Sequence, residues 1–211
     1  MSLTRLQLRS TVRENLDQSQ LSFYQDDEIN DSLNDAYNEI VCKTRCVVQK
    51  VTLPWRGRVM YLNFLDDYNI ADYLGVIGIF SNHNSLWLRD DVSIRDFNRI
   101  RRDWEVWIGA PQFWAPHSQK RIAIAPHFYT DTSDFDLWYY GTAPLFTDDY
   151  TPTIVANDMM RLYEYYSTAD LLESAEEITK AGAEWEKFYK LLDQYKTRCH
   201  NLAESQLLLR I

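Results

Sequence analysis

The sequence predicts an α+β protein: a helical bundle of two hairpins, about four main helices in all, with a β-rich insertion between helices two and three. Three observations lead there. Apolar residues recur at helical spacing near both ends of the chain. The stretch between them changes to alternating or continuous runs of β-branched and aromatic residues. No internal repeat or low-complexity linker separates the parts. The expected organisation is a bundle domain from 1–46 and 150–205, an insertion domain with one short helix over 47–149, and an apolar tail at 206–211. Arg45–Val47 and Ala143–Tyr150 are its hinges.

The first helix spans Leu3–Leu16, with Ser2 or Thr4 as cap and Leu8, Val12 and Leu16 on one face. Arg5, Arg9 and Arg13 recur every four residues and line another face. The second helix, Asp26–Arg45, opens on Asp26, Asp27 and Glu28, three negative charges at the positive end of the helix dipole. Ile29, Leu33, Tyr37, Ile40 and Val41 form its apolar stripe.

The period then changes. Val47–Leu53 and Arg58–Phe64 read as two strands of a hairpin around the Pro54-Trp55-Arg56-Gly57 turn. Tyr73–Phe80 is a continuous apolar strand expected to be buried on both faces, turned by Asn82–Ser85 into Leu86–Arg89. Ser93-Ile94-Arg95-Asp96 resembles a capping box that opens a short helix ending near Arg102. Gln112–Pro116, Arg121–Ala125 and Phe135–Tyr140 complete the strands, the last with Phe135, Leu137 and Tyr139 on one face.

Thr151-Pro152 is a cap followed by a first-turn proline and starts the third helix, whose stripe is Val155, Met159, Leu162, Tyr166 and Ala169. The fourth helix, Ala175–Leu202, carries Ile178, Ala181, Trp185, Phe188, Leu192, Tyr195, Cys199 and Leu202 in a 3–4 alternation. Its aromatics are too bulky for a two-stranded coiled coil, so packing within a bundle is expected. Lys180–Glu184 and Glu186–Lys190 would pair at i,i+4.

A net charge of −9 argues against a protein that coats nucleic acid. Asp131–Glu177 holds eleven acidic residues and one basic, Arg161, so this stretch accounts for the whole imbalance. Thirty aromatic residues indicate an aromatic-rich core with some left for interfaces. Three cysteines form no even disulfide framework and point to a reducing compartment. No signal peptide and no apolar run of membrane-spanning length appears, so no membrane role is expected.

Catalysis finds no support. The sequence has neither a nucleophile elbow nor a phosphate loop. Cys42 and Cys46 at i,i+4, with Cys199-His200, supply four potential zinc ligands, but Cys42 and Cys199 equally suit the apolar faces of their helices. The expectation is a non-enzyme with no cofactor and no metal. Arg95, Arg99, Arg101 and Arg102 gather beside Trp104 and Trp107, a composition suited to a subunit or partner interface, or to nucleic acid. Asp90, Asp91, Asp96 and Asp103 offset much of that charge and favour a protein contact. Leu207-Leu208-Leu209-Arg210-Ile211 is apolar where a chain end is usually polar, so it either folds back on its own bundle or docks into another subunit, with docking the favoured expectation.

With these elements in place, the chain resembles the head-to-tail adaptor (connector) proteins of tailed bacteriophages. Leu6–Leu16 and the run from Tyr24 through Asp26-Asp27-Glu28-Ile29 to Ala36-Tyr37 are similar to that family's opening helical hairpin. Gln25 stands where such proteins more often carry a small hydroxyl cap. Phe97–Trp104, Gly109-Ala110-Pro111-Gln112-Phe113, Ile122–Pro126, Leu137-Trp138-Tyr139-Tyr140, Leu145–Asp149 and Thr151-Pro152 follow in the family's order. The resemblance implies a structural virion protein, assembled in the host cytoplasm and located at the head–tail junction. It implies a homo-oligomeric ring of roughly twelve copies beneath the portal protein, with a tail or stopper protein docked below. Double-stranded DNA would pass through without sequence-specific binding. On that reading Asp131, Asp134, Asp136, Asp148 and Asp149 would face the channel, and Leu207, Leu208, Leu209 and Ile211 would bind the portal. The alternative is a nucleic-acid-binding or other phage assembly protein.

Overall fold

The computed structural model describes residues 4–16, 23–56, 60–118, 120–128, 133–142 and 159–208, with the backbone alone at 200 and 202–208. The chain divides into two compact units, Met1–Val47 with Thr142–Ile211, and Val48–Gly141.

The first unit is helical. Helix α1 (Arg5–Asn15) starts at a Thr4–Gln7 capping box: the Thr4 hydroxyl accepts from the Gln7 N–H, and the Gln7 side chain accepts from the Thr4 N–H at 2.9 Å. Leu8 and Val12 are fully buried. In α2 (Asp26–Thr44) the Glu28 carboxylate accepts the Gln25 N–H at 2.8 Å, so the weak cap is reinforced from inside the first turn. The stripe Ile29, Leu33, Tyr37, Ile40 and Val41 is buried, and Arg45 ends the helix in the left-handed region at φ 52°. Helices α4 (Met160–Ser174) and α5 (Ile178–Leu208) form an antiparallel hairpin on which α2 packs. Ring contacts tie them: Tyr37 lies 6.0 Å from Tyr163, and Tyr166 is edge-on to Phe188 at 5.3 Å. The expected start of this hairpin at Thr151-Pro152 lies outside the described residues.

The second unit contains β1 (Val48–Pro54), β2 (Tyr61–Asn63), β3 (Tyr73–Ser81), β4 (Leu86–Trp87), α3 (Ile94–Ile100), a 3-10 turn at Trp104–Val106, β5 (Phe113–Ser118), β6 (Arg121–Ala125) and β7 (Asp134–Gly141). They make two antiparallel sheets, β1-β7-β3-β4 and β2-β6-β5. Residues of both sheets share one core that includes Leu53, Trp55, Phe64, Ile79, Trp114, Ile124, Phe135 and Leu137. Strand periodicity feeds a second core. Ile122 and Ile124 enter the shared core, while the alternate residues Ala123 and Ala125, with Ala115, leave room for Phe97 and Trp104. Burying each such ring stabilises by roughly 2–3 kcal/mol.

The architecture differs from the one expected. Among the described residues there are five α-helices and seven strands in two antiparallel sheets, not a bundle of about four helices carrying a β-rich insertion. The β-containing unit is an equal partner with its own cores, because its strands bury their aromatic faces against each other. The hairpin expected around Pro54–Gly57 does not form. β1 pairs with β7, from Val48 opposite Tyr140 to Pro54 opposite Asp134, and β2 joins the other sheet. Pro54 ends an edge strand, where its missing donor costs nothing. Trp55 then turns inward, 3% exposed and 4.4 Å from Phe135, and its N–H donates to the Ser133 carbonyl at 2.9 Å. Nor is β3 buried on both faces: most of its residues are half-buried, and it is irregular at Gly75 and Gly78. In α5, Ile178 of the expected stripe is 63% exposed. Lys180 pairs with Glu177 and Lys187 with Glu184, at i,i+3 rather than the expected i,i+4.

Candidate assembly surfaces

The arginine cluster of the β-containing unit separates into core and surface. In α3 the Ser93 hydroxyl and N–H both donate to Asp96, at 2.6 and 3.0 Å, and hold its carboxyl below the usual range. Phe97 and Trp104 point inward and meet edge-on at 5.0 Å. Trp104 is 2% exposed, so it anchors the fold and is withdrawn as an interface residue. Its neighbour Trp107 is half-buried, with the Arg101 guanidinium 5.4 Å from its ring. Arg99 pairs with Asp96 at 3.1 Å, Arg101 with Asp103 at 2.7 Å, and Arg89 with Asp91 at 2.6 Å. Arg95 and Arg102 are exposed, as are the apolar Ile100, Val106 and Ile108. Exposed apolar side chains thus stand among arginines of which Arg89, Arg99 and Arg101 are ion-paired, a composition closer to a protein interface than to a phosphate-binding surface.

The expected channel acids do not form one described group. Asp134 is exposed at the start of β7. Asp136, two positions further along the strand, is buried: Lys50 reaches it at 2.7 Å, the Thr52 hydroxyl donates at 2.7 Å, and Asn82 is at 3.4 Å. Burial opposes its ionisation, but those hydrogen bonds and the Lys50 charge outweigh it and hold the carboxyl below its usual range. Asp136 is therefore a cross-strand ion-pair member and not a channel-facing acid. Asp131, Asp148 and Asp149 lie outside the described residues, as do Leu209 and Ile211. Leu207 and Leu208 continue the α5 backbone.

In the helical unit the arginines of α1 turn to α2. Arg9 lies 3.4 Å from Asp26, and Arg13 also bonds that carboxylate, which joins the two helices at their ends. The α4–α5 hairpin has two unlike flanks. On one, Arg161 and Tyr165 of α4 and Lys187, Lys190, Leu191, Gln194 and Tyr195 of α5 line a groove of about 590 Å3. On the other, Trp185 stacks on Tyr189 at 5.8 Å, meets Tyr166 edge-on at 5.0 Å and donates its indole N–H to Glu173 at 2.9 Å. The Tyr166 phenol is pushed up to about 12, by burial first and then by Asp170, Asp35 and Glu39. The Ser32 hydroxyl of α2 donates to Asp170 of α4 at 2.6 Å, one turn from Tyr166, so α2 borders this flank.

Among the described residues no group of three or more His, Cys, Asp or Glu side chains could hold a metal ion, and no disulfide forms. His83 packs on Phe128 at 4.8 Å and His117 on Tyr61 at 4.6 Å, while burial holds His127 below its ordinary value. No described helix is long and apolar enough to cross a membrane.

Residues 3–206 match the family described as SU10 adaptor protein. The chain belongs to the SU10 adaptor protein family. The match covers nearly the whole sequence, consistent with the phage head-to-tail adaptor that the ordered motifs from Tyr24 to Pro152 resemble. No curated protein matches the chain. The family is one of structural phage adaptor proteins. The α3 region is named in the sequence as an expected interface, whereas the two flanks of α4–α5 are not. Their signal was present: Lys187, Lys190 and Gln194 recur beside the apolar stripe, and Arg161 and Tyr165 sit one turn apart.

Proposed function

We propose that this SU10 adaptor family member is a structural component of the virion that assembles as a ring beneath the portal, extends the DNA channel and docks the tail or a stopper protein. The observation that carries the reading is the family match over residues 3–206. The exposed Ile100, Val106 and Ile108, flanked by ion-paired arginines, support partner contact by the β-containing unit. Arg95, Arg99, Arg101, Arg102 and Trp107 are its proposed contact residues. Ion pairing of Arg89, Arg99 and Arg101 disfavours the nucleic-acid-binding alternative.

Asp131, Asp134, Asp148 and Asp149 are the proposed channel acids, whose charge would let duplex DNA slide without sticking. Neutralising them should raise DNA retention during ejection, and unchanged ejection would place them elsewhere. The segment 207–211 is the proposed portal anchor. Its deletion should abolish ring attachment while leaving the melting transition in place, and retained attachment would refute the anchor.

The decisive experiment is electron microscopy of the protein co-expressed with its portal. A second ring stacked on the portal supports the adaptor reading and counts the copies. A bare portal beside well-folded soluble protein overturns it.

A further inference from the structure

The helical unit carries a basic groove on one flank of the α4–α5 hairpin and an acidic ridge on α2. On α5, Ala181, Phe188 and Leu192 are buried and set the inward direction. Lys187 falls to one side of that line and Lys190 on the outward face next to it, while Trp185 and Tyr189 fall to the other side. Arg161 joins the lysines in lining the groove, where the Lys187 ammonium lies 5.7 Å from the Tyr165 ring and 2.5 Å from Glu184. Tyr189 is 55% exposed beside Trp185, an uncovered aromatic surface.

The α2 helix supplies the opposite charge. Asp27, Asp31 and Asp35 recur every four residues along its exposed side. Like charges one turn apart are unfavourable in a helix on its own, and cations brought by a neighbour turn that repulsion into attraction. Ser32, one turn before Asp35, donates to Asp170 at 2.6 Å, and Asp170 stands one turn after Tyr166, the ring that meets Trp185, so this end of the acidic ridge lies towards the Trp185–Tyr189 side.

We propose that the groove formed by Arg161, Lys187 and Lys190 receives the acidic α2 ridge and Trp185–Tyr189 flank of a second copy of this chain. The two patches differ and their charges are opposite. A two-fold pairing would set like against like, whereas a head-to-tail contact joins unlike patches and, when its rotation closes, generates a ring. This rests on the adaptor reading and names the residues that would build its ring.

Two charge reversals test it, Lys187→Glu with Lys190→Glu in one chain and Asp31→Lys with Asp35→Lys in another, each checked for an unchanged circular dichroism melt. Native mass spectrometry and portal co-expression then read assembly. Each variant alone should need at least about tenfold more protein to assemble than wild type. An equimolar mixture should recover assembly, because each altered patch then finds its complement on the other variant. Variants that assemble like wild type refute this interface while leaving the adaptor reading intact. A mixture no better than its parts also refutes it, as does loss of portal binding confined to the lysine variant. Wild type that forms no ring, alone or on the portal, defeats the adaptor reading and this proposal together.

Discussion

Lys50 Nζ lies 2.7 Å from Asp136 Oδ2 across β1 and β7, the first and last strands in chain order. The two residues are diagonal neighbours, Lys50 standing opposite Trp138 and Thr52 opposite Asp136, and the lysine crosses the Trp138 ring at 5.6 Å. The Asp136 carboxyl is held below the usual range, so its contribution is full above an unfolded aspartate's pKa of about 3.9 and is lost as pH falls through the folded value. Asp136→Asn should cost about 1–3 kcal/mol at neutral pH. It should also flatten the loss of stability on acidification. Urea unfolding at neutral and acid pH reads both, and an acid slope equal to that of wild type would count against this ion pair.

Among the described tyrosines with a raised phenol, one in each unit is pushed furthest. Tyr139, whose hydroxyl lies 2.9 Å from Gln49 Oε1 and 3.2 Å from Asp72 Oδ1, is pushed up to about 12 by burial and then by the Asp72 charge. Tyr166 is also pushed up to about 12. Each raised pKa stabilises the fold below the unfolded phenol's value of about 10, and the contribution is lost as pH rises through the folded value. Alkaline titration of tyrosinate absorbance should show a late class from which Tyr139→Phe and Tyr166→Phe each remove one phenol. An unchanged late class in either variant would refute the assignment.

The glycines of β3 are not equivalent. A Cβ on Gly78 would stand 2.9 Å from the Trp87 ring, which is held by Phe80 at 5.5 Å and Trp138 at 6.5 Å. On Gly75 it would meet Tyr140 at 3.9 Å, an ordinary contact. Gly78→Ala should therefore cost about 1–3 kcal/mol and Gly75→Ala should stay within about 0.5 kcal/mol. Thermal melts of the two variants decide, and equal shifts would show that Trp87 yields freely.

Two buried polar ties join α2 and its preceding turn to α4. The Ser32 hydroxyl donates to Asp170 at 2.6 Å, and the Tyr24 hydroxyl donates to the Leu171 carbonyl at 2.7 Å. Ser32→Ala should cost about 1.5–3 kcal/mol because the acceptor is charged, and Tyr24→Phe about 0.5–1.5 kcal/mol. Chemical denaturation measures each, and the reverse order would show that the Asp170 charge is satisfied by water.

Much of the helical unit was legible because helix formation is local. The 3.6 period of Ile29, Leu33, Tyr37 and Ile40, the acids of the first turn and the Ser93–Asp96 box each lie within one or two turns of sequence, and each is present in the structure. The period-2 run Phe135, Leu137, Tyr139 likewise identified a strand and its buried face. Charge beside charge also announced that the arginines near Trp107 would be largely neutralised.

What the sequence by itself determined was the type of most elements, the inward face of most helices and the adaptor family to which their order belongs. Only the tertiary structure decided which strands pair, that two sheets rather than one hairpin-led insertion build the second unit, and which site residues are core. Trp55, Trp104 and Asp136 look in sequence like a turn residue, an interface ring and a channel acid, and all three are buried. The reason is range. A helix satisfies its backbone among near neighbours and shows its face as a period, whereas a strand is completed by a partner far along the chain. No local pattern near Lys50 names β7 as that partner, and burial follows from the pairing.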